Sequence, residues 1–237
     1  MKYVKETNMP KPVHGRWYGD ACGAAFGMEL LGERWTILIL RELMFGPRRF
    51  SDLRAELPGI TAKVLTERLT GMEATGILCR VTLTDPVPAQ LYQLTSWGEA
   101  AETILQEIGR WAAASPLHDP TLPLSAASFM MSLRTMLDRD AAQGIRMVVD
   151  FRIGTAHFAT RLEGGELTVR RGIPDAPDLS FAAKTASDLA AVFYGDAPPD
   201  TVGVRTENVH EDIARFVRLF RLPPKIAAHC ECRVVCS

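Results

Sequence analysis

Between residues 61 and 70 the polar side chains Thr61, Lys63, Thr66, Glu67 and Thr70 recur at helical spacing, with Arg68 at the flank. Leu65, Leu69 and Met72 occupy the opposite side of the same helix. Hydroxyl, ammonium, carboxylate and guanidinium groups on one exposed helix face can donate to or accept from base edges and phosphates. Arg48 and Arg49 lie just upstream, while Arg80, Thr82 and Gln90 follow at positions suited to backbone contacts. Other reactive groups are sparse. The tail His229, Cys230, Cys232 and Cys236 could supply four soft ligands, but its C-x-C-x3-C spacing does not match the common zinc patterns, so a frayed tail is expected. Nucleophile-elbow, zinc-protease, P-loop and dinucleotide signatures are missing, and the five histidines are scattered at 14, 118, 157, 210 and 229. The chain therefore reads as a non-enzyme without a cofactor or metal.

Those polar residues need elements to position them. The spacing of Trp35, Leu38, Ile39 and Leu43 predicts a helix over 34–45 that Gly46 and Pro47 stop. Ser51 can cap a short helix to Leu57, with Leu53 and Leu57 buried. Pro58 and Gly59 make a turn, Thr61 caps the next helix, and Gly76 ends it. Cys79, Val81 and Leu83 then alternate with Arg80, Thr82 and Thr84, and a proline-bearing tip at 85–90 leads to a return strand with Tyr92 and Leu94 inward. This order is that of a winged helix-turn-helix, whose second helix can enter a major groove while the strand pair reaches the flank. It also occurs as a plain packing module.

Composition sets broader limits. The chain has 237 residues, 47% of them hydrophobic, and a net charge of −1. That length suits two domains and gives no bulk basic signal for non-specific nucleic-acid binding. Residues 34–92 hold eight basic and six acidic side chains, a local bias of +2. Apolar runs fall far short of the ~18–20 residues needed to span a bilayer, and the start carries Lys2, Lys5 and Glu6 without an apolar signal core. A cytoplasmic location without membrane contact is expected. Five cysteines in such a chain argue against a disulfide scaffold, and Cys79 reads as core.

The runs 22–32 (CGAAFGMELLG), 33–43 (ERWTILILREL), 46–50 (GPRRF), 57–60 (LPGI), 65–69 (LTERL) and 92–95 (YQLT) share one register. Across about residues 17–115 the chain resembles the HxlR-type, MarR-like transcriptional regulators. The resemblance implies a dimeric bacterial regulator of winged-helix fold that binds double-stranded DNA. It also aligns Cys22 with a cysteine that some of these regulators use to sense oxidants or electrophiles, and a helix N-terminus can lower a thiol pKa. Gly23 and Ala25 stand where the family usually has proline and an acid, which weakens the transfer of that cysteine chemistry.

Downstream, Ser96 and Glu99 form a predicted capping box, and Trp97, Ala101, Ile104, Ile108 and Trp111 follow at steps of four and three. A helix with that stripe packs along another helix, and the resemblance implies that it helps build a homodimer. Residues 116–123 read as a proline-rich linker between a domain at 1–115 and another at 124–237. The second is expected to be α+β: a helix over 124–143, strands over 145–151, 155–162, 166–170 and 179–183, a helix capped by Thr185 and Asp188, a strand-like 201–206 and a last helix over 209–220. Its order and spacing resemble the sterol-carrier-protein-like fold. That resemblance implies an apolar cavity for a small apolar ligand, with Phe129, Met130, Met136, Met147, Phe158, Phe181, Phe193 and Phe220 as candidate wall residues; these side chains serve equally as plain core. Two functions follow: a regulator binding a twofold operator, modulated by such a ligand, or a lipophilic-ligand binder whose winged helix serves only protein contacts.

Overall fold

The computed structural model of the chain describes residues 18–83, 89–207 and 210–227. The tip residues 85–88, His229 and the tail cysteines Cys230, Cys232 and Cys236 lie outside them. By their contacts the residues form two compact units that divide between Glu102 and Thr103.

The first unit runs α1 (Gly23–Leu31), α2 (Thr36–Leu43), α3 (Phe50–Glu56), α4 (Ala62–Ala74), β1 (Leu78–Leu83), β2 (Ala89–Leu94) and α5 (Ser96–Ala100). Its core gathers Ile39, Leu40 and Leu43 from α2, Leu53 from α3, Leu65, Leu69 and Met72 from α4, and Leu78, Leu91 and Leu94 from the strands. Helix α2 begins two residues later than the periodicity predicts, because Trp35 takes a left-handed φ of 82° and serves as its N-cap. A bulky residue there is a strained outlier, of order 1–3 kcal/mol. Its ring reaches the turn at Gly59, which connects α3 to α4.

Three local expectations are corrected. Ser51 does not cap α3; Arg49 takes that place, and the Ser51 hydroxyl turns to Asp52 at 3.3 Å. The cause is long-range: the Arg48 N–H donates to the Tyr92 carbonyl at 2.9 Å and the Tyr92 N–H to the Arg48 carbonyl at 2.8 Å, so the extended backbone ends at Arg49 and the helix starts directly after it. In the wing, β1 starts at Leu78 and Arg80 stands directly opposite Tyr92, with Leu78 opposite Leu94. The buried Tyr92 and Leu94 therefore share a face with Arg80, while Cys79 and Val81 sit half-buried on the other. A one-residue offset moves every side chain of a strand to the opposite face. Finally, Thr95 rather than Ser96 caps α5, accepting from Gly98 N–H at 3.1 Å and donating to the Gly76 carbonyl at 2.7 Å. A β-carbon at position 98 would fall 2.1 Å from the Ile77 carbonyl oxygen, so only glycine permits this approach.

Helix α6 (Glu102–Ala113) follows α5 after a break at Ala101. Beyond Thr103 the second unit continues with α7 (Ala126–Met136), β3 (Met147–Ile153), β4 (Ala156–Glu163), β5 (Glu166–Arg171), β6 (Leu179–Ala183), α8 (Ala186–Tyr194), a 3-10 turn at Pro199–Val202, β7 (Arg205–Glu207) and α9 (His210–Val217). The sheet order is β5-β4-β3-β6-β7, with only β3 and β6 parallel. Gly164 and Gly165, at φ 59° and 74°, make the predicted two-residue hairpin turn between β4 and β5. The Thr185–Asp188 capping box is present in full. Helix α7 is shorter than the predicted 124–143, because Leu137 leaves it to bridge Phe220, and the Asp138 N–H donates to the Leu219 carbonyl at 2.7 Å. The expected strand over 201–206 is mostly 3-10 turn; only Arg205–Glu207 pairs with β6.

Helix α6 belongs with this unit through named bonds. Arg110 donates to the Thr135 carbonyl of α7 at 2.7 Å. Lys225 Nζ donates to the carbonyls of Ala113, Ser115 and His118, each at 3.0 Å, and the Ile226 N–H closes on the Ala114 carbonyl at 2.9 Å. A cation at the last carbonyls of a helix satisfies acceptors that otherwise lack partners.

Candidate nucleic-acid interface

Helix α4 is held by its apolar side and by its cap. Leu65, Leu69 and Met72 are buried, and the Thr61 hydroxyl accepts from the Val64 N–H at 3.2 Å, an arrangement worth about 1 kcal/mol. Rotation about the buried stripe leaves Thr61, Lys63, Thr66, Glu67 and Thr70 exposed together. Lys63 makes no ion pair among the described residues, so its ammonium is available to a phosphate or base edge. The Thr66 hydroxyl donates back to the Ala62 carbonyl at 2.9 Å and retains its lone pairs.

Arg68 is placed differently from its sequence reading. Its guanidinium pairs with Glu33 at 2.9 Å and donates to the Arg34 carbonyl at 3.2 Å, and its side chain is only 16% exposed. It braces α4 against the turn that precedes α2. The signal that pointed elsewhere was spacing alone, which cannot show a partner 34 or more residues away.

The remaining candidates flank the helix. Arg49 is exposed at the start of α3, and Arg48 beside it is partly buried, its backbone paired with β2. Arg80 reaches from β1 to Glu73 at 3.0 Å, its guanidinium 5.7 Å from the Tyr92 ring centroid. It thereby ties the wing to the C-terminal end of α4. Thr82 and Gln90 are cross-strand partners and both exposed, next to the tip. Arg34 is also exposed, its guanidinium 5.4 Å from the Trp35 ring centroid.

Cys22 is the N-cap residue of α1 and is exposed. Backbone N–H groups of Ala25 and Ala24 push its thiol pKa down from the ordinary value. Cys79 is half-buried in the wing. Among the described residues no group of His, Cys, Asp and Glu could hold a metal ion, and no helix is long and apolar enough to cross a membrane.

A capped helix after a helix-turn, followed by a two-stranded antiparallel wing, defines a winged helix-turn-helix protein. The HxlR-like helix-turn-helix family matches residues 30–118. The HTH-type transcriptional regulator YkvN of Bacillus subtilis is 37% identical over 91 residues, which cover 38% of this chain and 77% of that relative. The HTH-type transcriptional regulator YodB of the same organism is 40% identical over 83 residues, covering 35% of this chain and 74% of the relative. A solved structure of the reduced form of YodB overlaps 42% of this chain and all of its own at 34% identity, with a TM-score of 0.38. The chain belongs to the HxlR-like helix-turn-helix family.

The other expected site lies in the second unit. Phe129, Met130, Met136, Met147, Phe158, Phe181, Phe193 and Phe220 are all buried. The rings pack on one another: Phe129–Phe193 at 5.4 Å, Phe181–Phe193 at 5.2 Å and Phe193–Phe220 at 5.5 Å between centroids, with Phe151 and Phe216 in the same cluster. Offset and edge contacts at these separations are those of a packed core. A ligand between sheet and helices would have to part them.

Proposed function

We propose that the chain is a transcriptional regulator that binds a twofold operator as a homodimer, with α4 in the major groove and the β1–β2 wing on the flanking backbone. The observation that carries this reading is the exposed row Thr61, Lys63, Thr66 and Glu67 on a capped helix whose opposite side is wholly buried. Arg49, Thr82 and Gln90 supply further polar groups on exposed elements. Such a surface offers a nucleic acid exposed donors and acceptors on a helix fixed by its buried side.

A gel-shift titration on the DNA upstream of the chain's own gene tests it. Lys63→Ala with Thr66→Ala is expected to abolish specific binding, and Lys63→Ala alone to lower the slope of log affinity against log salt by about 1. Unaltered specific binding by the double variant would remove α4 from the reading role.

Within this proposal the second unit is the input. Its support is the one-sided five-stranded sheet with its helices, the architecture expected of a sterol-carrier-like ligand domain, and the bonds that join α6 to α7 and to the segment at Lys225. An apolar effector acts here only by favouring one packing of the phenylalanine layer over another. Native mass spectrometry of freshly purified protein checks for it: a co-purifying lipophile supports the role, and an empty spectrum together with an empty lipid screen removes it. Cys22 is the thiol through which an oxidant or electrophile would act on the first unit. Limiting iodoacetamide should label Cys22 faster than Cys79, as read by peptide mass mapping; equal rates would exclude a special reactivity.

A further inference from the structure

The two faces of the C-terminal sheet carry different chemistry. Val149, Phe151, Leu179 and Phe181 face the helices, while Val148, Ala159, Arg161, Thr168 and Arg170 lie on the other side of the same strands. On that second side the segment after β5 folds back over the sheet. It is fastened at both ends: the Gly172 N–H donates to the His157 carbonyl at 3.0 Å, the Asp178 N–H donates to the Val148 carbonyl at 2.7 Å, and the Val148 N–H donates to Asp178 Oδ2 at 2.7 Å. Between this wall and the strands lies a pocket of about 430 Å³ whose lining includes Arg161, Arg170, Val148, Ala159, Pro174 and Asp175. That volume suits a small ligand.

The charges in the pocket are unbalanced. Arg161 pairs across the strands with Thr168 and Ala159 with Arg170, so the two arginines are diagonal neighbours, about 7–8 Å apart at Cα. Arg170 makes no ion pair among the described residues. Arg161 has Glu163 at 3.9 Å, beyond hydrogen-bond reach, and Glu163 is already engaged by Arg146. Two guanidinium groups thus share one concavity without a hydrogen-bonded acid, and each offers a planar fork of donors. Asp175 in the wall leaves the lining one positive charge in excess. That excess suits a monoanion better than a dianion. Val148, Ala159, the buried Pro174 and Ala176 add apolar surface that an inorganic ion could not use.

We infer that this pocket binds a small organic monocarboxylate, its carboxylate between Arg161 and Arg170 and a flat apolar body on Val148, Ala159 and Pro174. The site lies on the sheet face opposite the phenylalanine layer, so it is separate from any apolar effector there. It is also independent of the DNA-binding reading, because its test reads ligand affinity alone.

Isothermal titration calorimetry on the full chain, with benzoate, acetate and inorganic phosphate as probes, decides it. Benzoate is expected to bind more tightly than acetate or phosphate. Arg161→Gln with Arg170→Gln should weaken benzoate at least tenfold, while Arg161→Lys with Arg170→Lys retains part of the affinity. Both side chains are at the surface, so an unchanged melting temperature confirms that the variants fold. Asp175→Asn should raise phosphate affinity relative to benzoate. Benzoate binding that survives the double glutamine substitution, phosphate binding as tight as benzoate, or no binding by any probe overturns the inference.

Discussion

Single residues in this chain take their roles from partners that sequence distance hides. Asp150 shows it on the C-terminal sheet: it is 6% exposed, its Oδ2 lies 3.4 Å from Arg152 Nε, and Arg152 reaches on to Glu207 of β7 at 3.4 Å. Burial, the largest influence, pushes its carboxyl pKa up, Arg152 and His157 pull it down, and Glu207 pushes it up again. Between the unfolded and the folded value, the folded protein therefore holds a proton that the unfolded chain releases. Its stabilising effect is full below the ordinary aspartate value of about 3.9 and is lost as pH rises through the folded value. Asp150→Asn cannot ionise, so the native protein should lose stability relative to this variant as pH rises above about 4. Melting temperatures of both proteins across pH measure this, and a pH-independent difference would show that Asp150 does not titrate in that range.

At the scale of elements, Arg68 ties α4 to the turn that precedes α2. The Arg68–Glu33 pair and the bond to the Arg34 carbonyl lie beside Trp35, the residue with left-handed backbone. A brace of this kind lets a strained cap persist, because the surrounding contacts over-determine it. Arg68→Ala is therefore expected to lower the melting temperature, by roughly 1–3 kcal/mol of stability for a charge-assisted bond lost. Its DNA affinity should fall through looser placement of α4, without a change in which base is preferred at any operator position. Circular dichroism melts and gel shifts on single-base operator variants read the two effects separately. A loss of preference at one base with unchanged stability would return Arg68 to the reading face.

Across the whole molecule, an apolar stripe remains uncovered in the single chain. On α6, Ile104, Ile108 and Trp111 are 50%, 45% and 80% exposed, spaced at four and three residues, and Trp97 on α5 is 51% exposed. The proposed dimer would cover this surface, and a helix-to-helix contact suits its spacing. Under the proposed dimer, Ile104→Glu with Ile108→Glu gives a monomer in light scattering and loses operator binding, because each half-site alone supplies half the contacts. A stable dimer in this variant would place the interface elsewhere. Helix α6 is bonded to α7 and to Lys225 within the second unit, so a dimer built on α6 would involve that unit directly.

Much of this was legible from residue order alone. Periodicity placed α4 and its Thr61 cap, glycine pairs placed the β4–β5 turn, and Thr185 with Asp188 placed the start of α8, because each is set by contacts within a few residues. The exposed row at Lys63 and Thr66 followed from the same short-range rule. What tertiary structure alone decided were the partners brought in from afar: Tyr92 moving the α3 cap to Arg49, Leu78 setting the wing register, Phe220 ending α7 early, and Glu33 pairing with Arg68. It also decided that Arg161 and Arg170 share one pocket, since only the pairing of β4 with β5 makes them neighbours. Local patterns encode local hydrogen bonds and apolar faces; long-range pairing depends on how whole elements pack, which no spacing within one element records.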